Sequence, residues 1–353
     1  MRVRENVPLA ELTTLRHGGP ARRLVEAADA DEAVAAVREA EAAGEPLLVM
    51  AGGSNLVVAD EGFAGTVVRV ASRGVARTER DGQVELEVAA GEPWDAVVAG
   101  AVADGLAGIE CLSGIPGATG ATPIQNVGAY GQEVADTISR VRVYDRETGS
   151  VSDLAPAECG FAYRSSAFRR SDRHVVLAVA FALPRSAQSA PVWYAELARA
   201  LGVALGATAP LHEVREAVLA LRRSKGMVVD PADPDSVSAG SFFTNPILDP
   251  QAFAALETRA AERLGPDARP PRFPEPDGRV KTSAAWLIER AGFGRGYGEG
   301  AVRLSDKHTL AITNRGGGTA AELLALAREL RDGVREAFAV TLEPEPTLVG
   351  LAL

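Results

Sequence analysis

The segment IPGATGATPIQNVGAYG, residues 115–131, constrains this chain more than any other. It carries seven glycines or alanines at turn-like spacing, two prolines and the amide pair Gln125 and Asn126, and it has no charged side chain. Glycine and proline at this density read as a loop. A neutral loop of small residues can leave backbone N–H groups bare, which suits a phosphate-bearing or planar ligand lying against the main chain. Taken alone, the glycines fit a tight turn without a ligand equally well.

A second small-residue loop, AGGSN at 51–55, sits where a predicted strand ends. Two glycines followed by Ser54 and Asn55 can present consecutive N–H groups to a pyrophosphate, with side-chain donors beside them. Two such loops separated by a strand–helix segment suggest one extended cofactor reaching both. Neither is a Rossmann fingerprint, because no GxGxxG follows a predicted strand with an acidic residue about 20 positions on. No Walker A sequence occurs either. A dinucleotide bound here belongs to another fold.

The surrounding pattern alternates helix and strand. Asp29 and Glu32 form a capping-box pattern for a helix through Val34 and Val37 that stops at Gly44. Strands are predicted over Leu47–Met50 and 66–70, then at the alternating Val84, Leu86 and Val88, with a helix over Trp94–Ala103. Strands at 141–144 and 175–183 follow, the second apolar throughout, as a strand buried on both faces would be. A helix carrying Leu211, Val214, Val218 and Leu221 leads into a region with polar loops at 231–236 and 269–278. The last helix opens on Thr319 and Glu322 and aligns Leu323, Leu326, Leu330, Val334 and Phe338, and a strand over 340–342 precedes EPEP.

With 353 residues the chain has room for two or three domains. Its net charge of −10 argues against nucleic acid as a partner, so an anionic ligand must be held by local groups. Cys111 and Cys159 are too few for a disulfide framework or a zinc cluster, and the four histidines have no metal-ligand spacing, so no metal is expected. The N-terminus MRVRENVPLAEL lacks the apolar core of a signal peptide and no run reaches membrane-spanning length. The expected location is the cytoplasm, without membrane insertion, and the expected state a monomer.

Three further segments stand out: YRSSAFR at 163–169, AGSFFTNP at 239–246 and LEPEP at 342–346. Ser241, before Phe242 and Phe243, has no obvious capping duty, and the two rings would keep its hydroxyl in a drier place. Arg164, Glu343 and Glu345 are ordinary solvated charges on a plain reading. Together with TTLRHGG (13–19), AGGSN, the 115–131 loop and RRSKGM (222–227), these segments resemble the UDP-N-acetylenolpyruvoylglucosamine reductase family, in the form with a tyrosine-bearing loop that closes over substrate. The ordered set covers nearly the whole chain. Thr13 stands where the family commonly has Asn, and Ala51 where it frequently has Gly, which is costly only if that position needs positive φ.

The resemblance implies an α+β chain with a vanillyl-alcohol-oxidase-type FAD-binding fold: two α+β subdomains and a third α+β substrate-binding domain. The expected division is 1–70 and 71–222 for FAD, 223–342 for substrate, and 343–353 returning to the active site. It implies non-covalent FAD held by Gly52, Gly53, Ser54, Asn55, Ser113, Ile115, Pro116, Gly117, Gly120, Gln125, Asn126 and Gly128. NADPH is the implied co-substrate, with hydride passing through flavin N5 to the enolpyruvyl methylene carbon in peptidoglycan precursor synthesis. Arg164 would grip the substrate carboxylate, Glu345 would face the developing enol, and Ser241 would deliver the proton to carbon. Tyr194, Lys225 and Asn245 would hold the UDP-sugar. Another FAD-dependent oxidoreductase of the same fold is the alternative.

Overall fold

In the computed structural model, which describes residues 1–80 and 82–353, the strand His174–Pro184, which holds the apolar run 175–183, lies third in a five-stranded sheet. The order is Ser150–Leu154, Ile138–Asp145, His174–Pro184, Gln83–Ala89, Val75–Arg80, antiparallel throughout. That central position explains its hydrophobic run: Val179, Phe181 and Leu183 are fully buried on one side, and Ala180 is buried on the other. Trp94, which opens the helix Trp94–Ala103, packs against Phe181 at 5.4 Å between ring centroids.

A four-stranded sheet precedes it, ordered Arg2–Pro8, Pro20–Ala27, Phe63–Val70, Leu47–Met50. Its first pair is antiparallel and the other two are parallel. The parallel pairing of Leu47–Met50 with Phe63–Val70 places the AGGSN loop directly after a sheet strand. The helix Ala30–Ala42 opens at Asp29, whose side chain accepts the Glu32 N–H at 2.8 Å. The return bond of the expected capping box is offset by one residue, because the Glu32 carboxylate takes the Ala28 N–H instead. Both sheets close over one apolar core that includes Val37, Val68, Val88, Trp94 and Phe181. The helices Ala195–Leu201 and Leu211–Ser224 form a smaller cluster around Val192, Leu197, Val214 and Val218.

These elements belong to the first of two compact units, made of Met1–Pro8, Pro20–Gly53 and Phe63–Val228. The second comprises Leu9–Gly19, Ser54–Gly62 and Val229–Leu353. Its core gathers Phe253, Leu287, Leu323, Leu330 and Phe338 from the helices Pro250–Leu264, Ala284–Ala291 and Ala320–Phe338. The last helix has the reciprocal cap predicted at Thr319 and Glu322. The Asp60 carboxylate adds a second anion there, accepting the Ala320 and Ala321 N–H groups at 2.8 and 3.2 Å.

The strand expected over 340–342 does not form. Val340 and Leu342 are buried in the helical core without a sheet partner. Apolar alternation is satisfied there by helix packing, and the pairing strand comes later, where Thr347–Val349 runs parallel to Leu56–Val58.

Candidate active site

In the first unit the two small-residue loops meet main chain to main chain. A Cβ on Gly52 would lie 2.6 Å from Gly117 Cα and 2.9 Å from the Ala118 nitrogen, so no other residue fits without moving a backbone. Gly53 and Gly117 adopt φ of +61° and +116°. Ala51 is not among the positive-φ residues. Its difference from the family glycine therefore carries no backbone strain.

The rest of the 115–131 loop is turned inward. The N–H groups of Thr119, Gly120, Ile124, Asn126 and Val127 all donate to carbonyls of residues 90–123, so they are not open to a ligand. Gly120 has a structural reason of its own, since a Cβ there would lie 2.5 Å from that of Ala90. Gln125 is buried. The Asn126 amide is spent on structure: Nδ2 donates to Glu133 at 2.6 Å and Oδ1 accepts from the Ala135 N–H at 3.1 Å. Ser113 is fully buried and its hydroxyl donates to the Glu110 carbonyl at 2.7 Å. Ile115 packs on the main core and Pro116 is half-buried.

The loop is anchored at its start by a residue that sequence reasoning missed. Asp95 accepts the Gly114 N–H at 2.6 Å and a bidentate pair from Arg215 at 2.7 and 3.0 Å. Burial disfavours its charge, but the Arg215 guanidinium and the Gly114 N–H outweigh that and hold its carboxyl below the usual range. Arg215 lies on the helix that ends at Lys225, so one carboxylate ties the loop to that helix.

Arg164 sits in a tight turn where Ala162 and Ser165 exchange backbone hydrogen bonds at 3.0 Å, and its own φ is +49°. That strained conformation turns its guanidinium back onto the loop, where it donates to the Gly128 carbonyl at 2.6 Å and the Asn126 carbonyl at 3.4 Å. A Cβ on Gly128 would crowd Glu133 Cγ at 2.8 Å, the Gln132 carbonyl oxygen at 3.0 Å and the guanidinium at 3.1 Å. Tyr130, Tyr194 and Lys225 form a third cluster in the same unit. The two tyrosine rings meet edge to face at 5.3 Å, and Lys225 Nζ stands 5.7 Å from the Tyr130 centroid. Burial pushes the Tyr130 phenol up to about 12 and raises that of Tyr194. Burial also lowers the neighbouring Arg222 guanidinium to about 10.

In the second unit, the segments that carry Ser241 and Glu345 are joined by backbone pairing. The Glu345 N–H donates to the Phe242 carbonyl at 2.9 Å, Phe243 bridges Pro344, and the Thr244 N–H donates to the Glu343 carbonyl at 3.1 Å. Asn55 joins them, its Nδ2 reaching the Glu345 carbonyl at 3.3 Å while its own carbonyl accepts from the Thr347 N–H. Ser54 is tied in through its carbonyl, which accepts from the Thr14 hydroxyl at 3.3 Å. Phe242 and Phe243 are both 1% exposed and pack edge to face at 5.1 Å, so the rings beside Ser241 are core. Among the described residues none hydrogen-bonds the Ser241 hydroxyl. Asn245 accepts the Ala284 N–H on its Oδ1 at 2.9 Å, and among the described residues its Nδ2 has no hydrogen-bond partner.

Among the described residues no group of three or more His, Cys, Asp or Glu side chains is placed to hold a metal ion. Among the described residues no helix is long and apolar enough to cross a membrane.

Residues 231–349 match the family profile described as UDP-N-acetylenolpyruvoylglucosamine reductase, C-terminal domain, and residues 21–155 match that of an FAD binding domain. The UDP-N-acetylenolpyruvoylglucosamine reductase of Thermobifida fusca is 60% identical over 349 residues, covering 99% of this chain and 98% of its own. The chain belongs to the UDP-N-acetylenolpyruvoylglucosamine reductase family. Its relative from Streptomyces coelicolor is 58% identical over 350 residues, covering 99% of this chain and 90% of its own. The crystal structure of the family's enzyme from Thermus caldophilus aligns with a TM-score of 0.66 at 27% identity, covering 99% of both chains.

Membership makes this an oxidoreductase, a UDP-N-acetylmuramate dehydrogenase, of peptidoglycan precursor synthesis. It also bears out the α+β class with an FAD-binding part.

Proposed function

We propose that this reductase takes hydride from NADPH and reduces UDP-N-acetylenolpyruvoylglucosamine to UDP-N-acetylmuramate in the cytoplasm. The observation that carries the reading is the Phe242–Glu345 backbone hydrogen bond, which joins the segment that carries Ser241 to the segment that carries Glu345. A hydroxyl and a carboxyl group on two neighbouring segments are the parts that protonation of a carbon beside a carboxylate requires.

The residues present fit FAD. The abutment of Gly52 on Gly117 leaves two neutral backbones without side chains between them, and such surfaces suit a diphosphate. Gly52, Gly53, Ser54, Asn55 and the turn at Ile115, Pro116 and Gly117 would hold it, with Ser113, Gly120, Gln125, Asn126 and Gly128 shaping that surface. Bound there, FAD would supply the hydride-transfer chemistry between NADPH and the substrate. We assign residues 1–70 and 71–222 to this cofactor and 223–342 to the substrate, with 343–353 contributing Glu345. The FAD-binding match over 21–155 and the reductase match over 231–349 support that division.

Addition at the methylene carbon leaves negative charge on its neighbour, spread into the substrate carboxylate. Arg164 supplies a planar fork for that carboxylate, pre-set by its bonds to Gly128 and Asn126. Glu345 must be protonated or strongly hydrogen-bonded to act beside it, since a second bare anion would repel the charge. Ser241 delivers the proton. A serine hydroxyl is a weak acid at neutral pH, so it works here only against a strongly basic carbanion and when well aimed. Lys225, Tyr194 and the Nδ2 of Asn245 hold the UDP diphosphate. The proposed working state is a monomer.

The test is direct. Purified protein should be yellow, NADPH should bleach it without air, and the enolpyruvyl UDP-sugar should restore the colour. Bleaching without recovery would assign another substrate, and no bleaching would remove the reductase role.

A further inference from the structure

Lys225, the residue assigned to the substrate diphosphate, already carries an anion. Its Nζ lies 2.6 Å from Oε2 of Glu196, with the two side chains 29% and 36% exposed. Glu196 stands two residues after Tyr194, which is the N-cap of the helix Ala195–Leu201. The Tyr194 carbonyl accepts the Ala198 N–H at 2.9 Å, so tyrosine and carboxylate ride on one helical turn. Tyr130 is where the pieces meet: the edge of the Tyr194 pair and the Lys225 ammonium both address its ring. A single turn therefore presents the proposed closing tyrosine and neutralises the proposed phosphate lysine.

We propose that Glu196 is a positioning residue that holds Lys225 in the ligand-free enzyme, and that a nucleoside diphosphate binds by exchange, its phosphate taking the ammonium as the carboxylate leaves. The proposal rests on the assignment of Lys225. A half-exposed ion pair contributes little, because water screens it and both side chains lose freedom. A diphosphate carries more charge than one carboxylate and can displace it. The tether nevertheless keeps the carboxylate at high local concentration, so ligands without phosphate never engage the lysine. Departure of Glu196 releases the Tyr194 turn from Lys225 at the moment the diphosphate arrives, which couples phosphate recognition to movement of the tyrosine.

The experiment measures UDP and uridine affinity by calorimetry on the FAD-loaded enzyme, for wild type, Glu196→Gln, Lys225→Ala and the double variant. Glu196→Asp serves as a second probe of the pair, and thermal melting confirms folding of each. Removing the competing carboxylate should tighten UDP by about two- to fivefold, the range such exposed pairs span. Uridine affinity should not change, and the gain should vanish in the Lys225→Ala background. Unchanged or weaker UDP binding by Glu196→Gln, with Lys225→Ala still weakening it, overturns the exchange. A gain that persists without Lys225, or that uridine shares, also overturns it. If Lys225→Ala leaves UDP affinity intact, the assignment of Lys225 itself fails, and that result is distinct from the others.

Discussion

The Phe242 carbonyl accepts the Glu345 N–H at 2.9 Å, so a fully buried ring and the proposed enol-facing carboxyl share one crossing of two extended segments. Ser241 precedes that ring by one residue, on the same segment. Ser241→Ala should leave reduction of the flavin by NADPH at the wild-type rate. Turnover with the enolpyruvyl UDP-sugar should fall by roughly 10²–10⁴, the usual contribution of a positioned acid. Stopped-flow absorbance separates the two half-reactions, and normal rates in both would remove Ser241 from the chemistry.

Phe242 has a second duty, in packing. Truncation to Ala empties a site where the ring is 1% exposed and stacked against Phe243. Urea unfolding should show a loss of about 3–5 kcal/mol, the usual cost for a buried phenylalanine. A loss below 1 kcal/mol would mean that the neighbouring rings refill the gap.

Gly52→Ala tests the abutment of the two loops. Its Cβ would lie 2.6 Å from a backbone atom that no rotamer change can move aside. Forcing extra volume into such a contact costs about 1–3 kcal/mol. FAD affinity, followed by flavin fluorescence quenching, should therefore weaken roughly ten- to hundredfold. Retained affinity would show that FAD is held elsewhere.

His17 sets an acid limit on stability. It is 3% exposed, and among the described residues its Nε2 has no hydrogen-bond partner. Burial lowers its pKa, with Asp60 and Glu322 pulling more weakly the other way. The unfolded chain therefore binds a proton more readily than the folded one below the ordinary histidine value of 6.5. Its contribution is present above that pH and is lost as pH falls toward the depressed value. Melting temperatures between pH 8 and pH 5 should fall more steeply for wild type than for His17→Gln, and parallel curves would overturn this account.

Much of the architecture was legible because it is written in local chemistry. Asp29 and Thr319 announced their helices through side-chain caps, and the apolar run ending at Leu183 announced a central strand. The two loops were legible from their glycines, and the resemblance supplied roles for Arg164, Ser241 and Glu345. What stayed hidden depends on contacts distant in sequence. Val340 and Leu342 alternate like a strand, yet the helix core takes them. Asn126 looked like a ligand donor, but Glu133 and Ala135 claim its amide. Asp95 and Glu196 are ordinary surface carboxylates in the sequence until Arg215 and Lys225 arrive beside them from far along the chain.

The chain passes from one unit to the other at 8/9, 19/20, 53/54, 62/63 and 228/229. A ribosome making it in order therefore releases residues 9–19 and 54–62 long before the C-terminal segment that completes their unit. Leu56–Val58 must wait for Thr347–Val349, far later in the chain, to gain its parallel neighbour. No single cut can yield either unit as one contiguous fragment, so truncations of this reductase will not report on its parts.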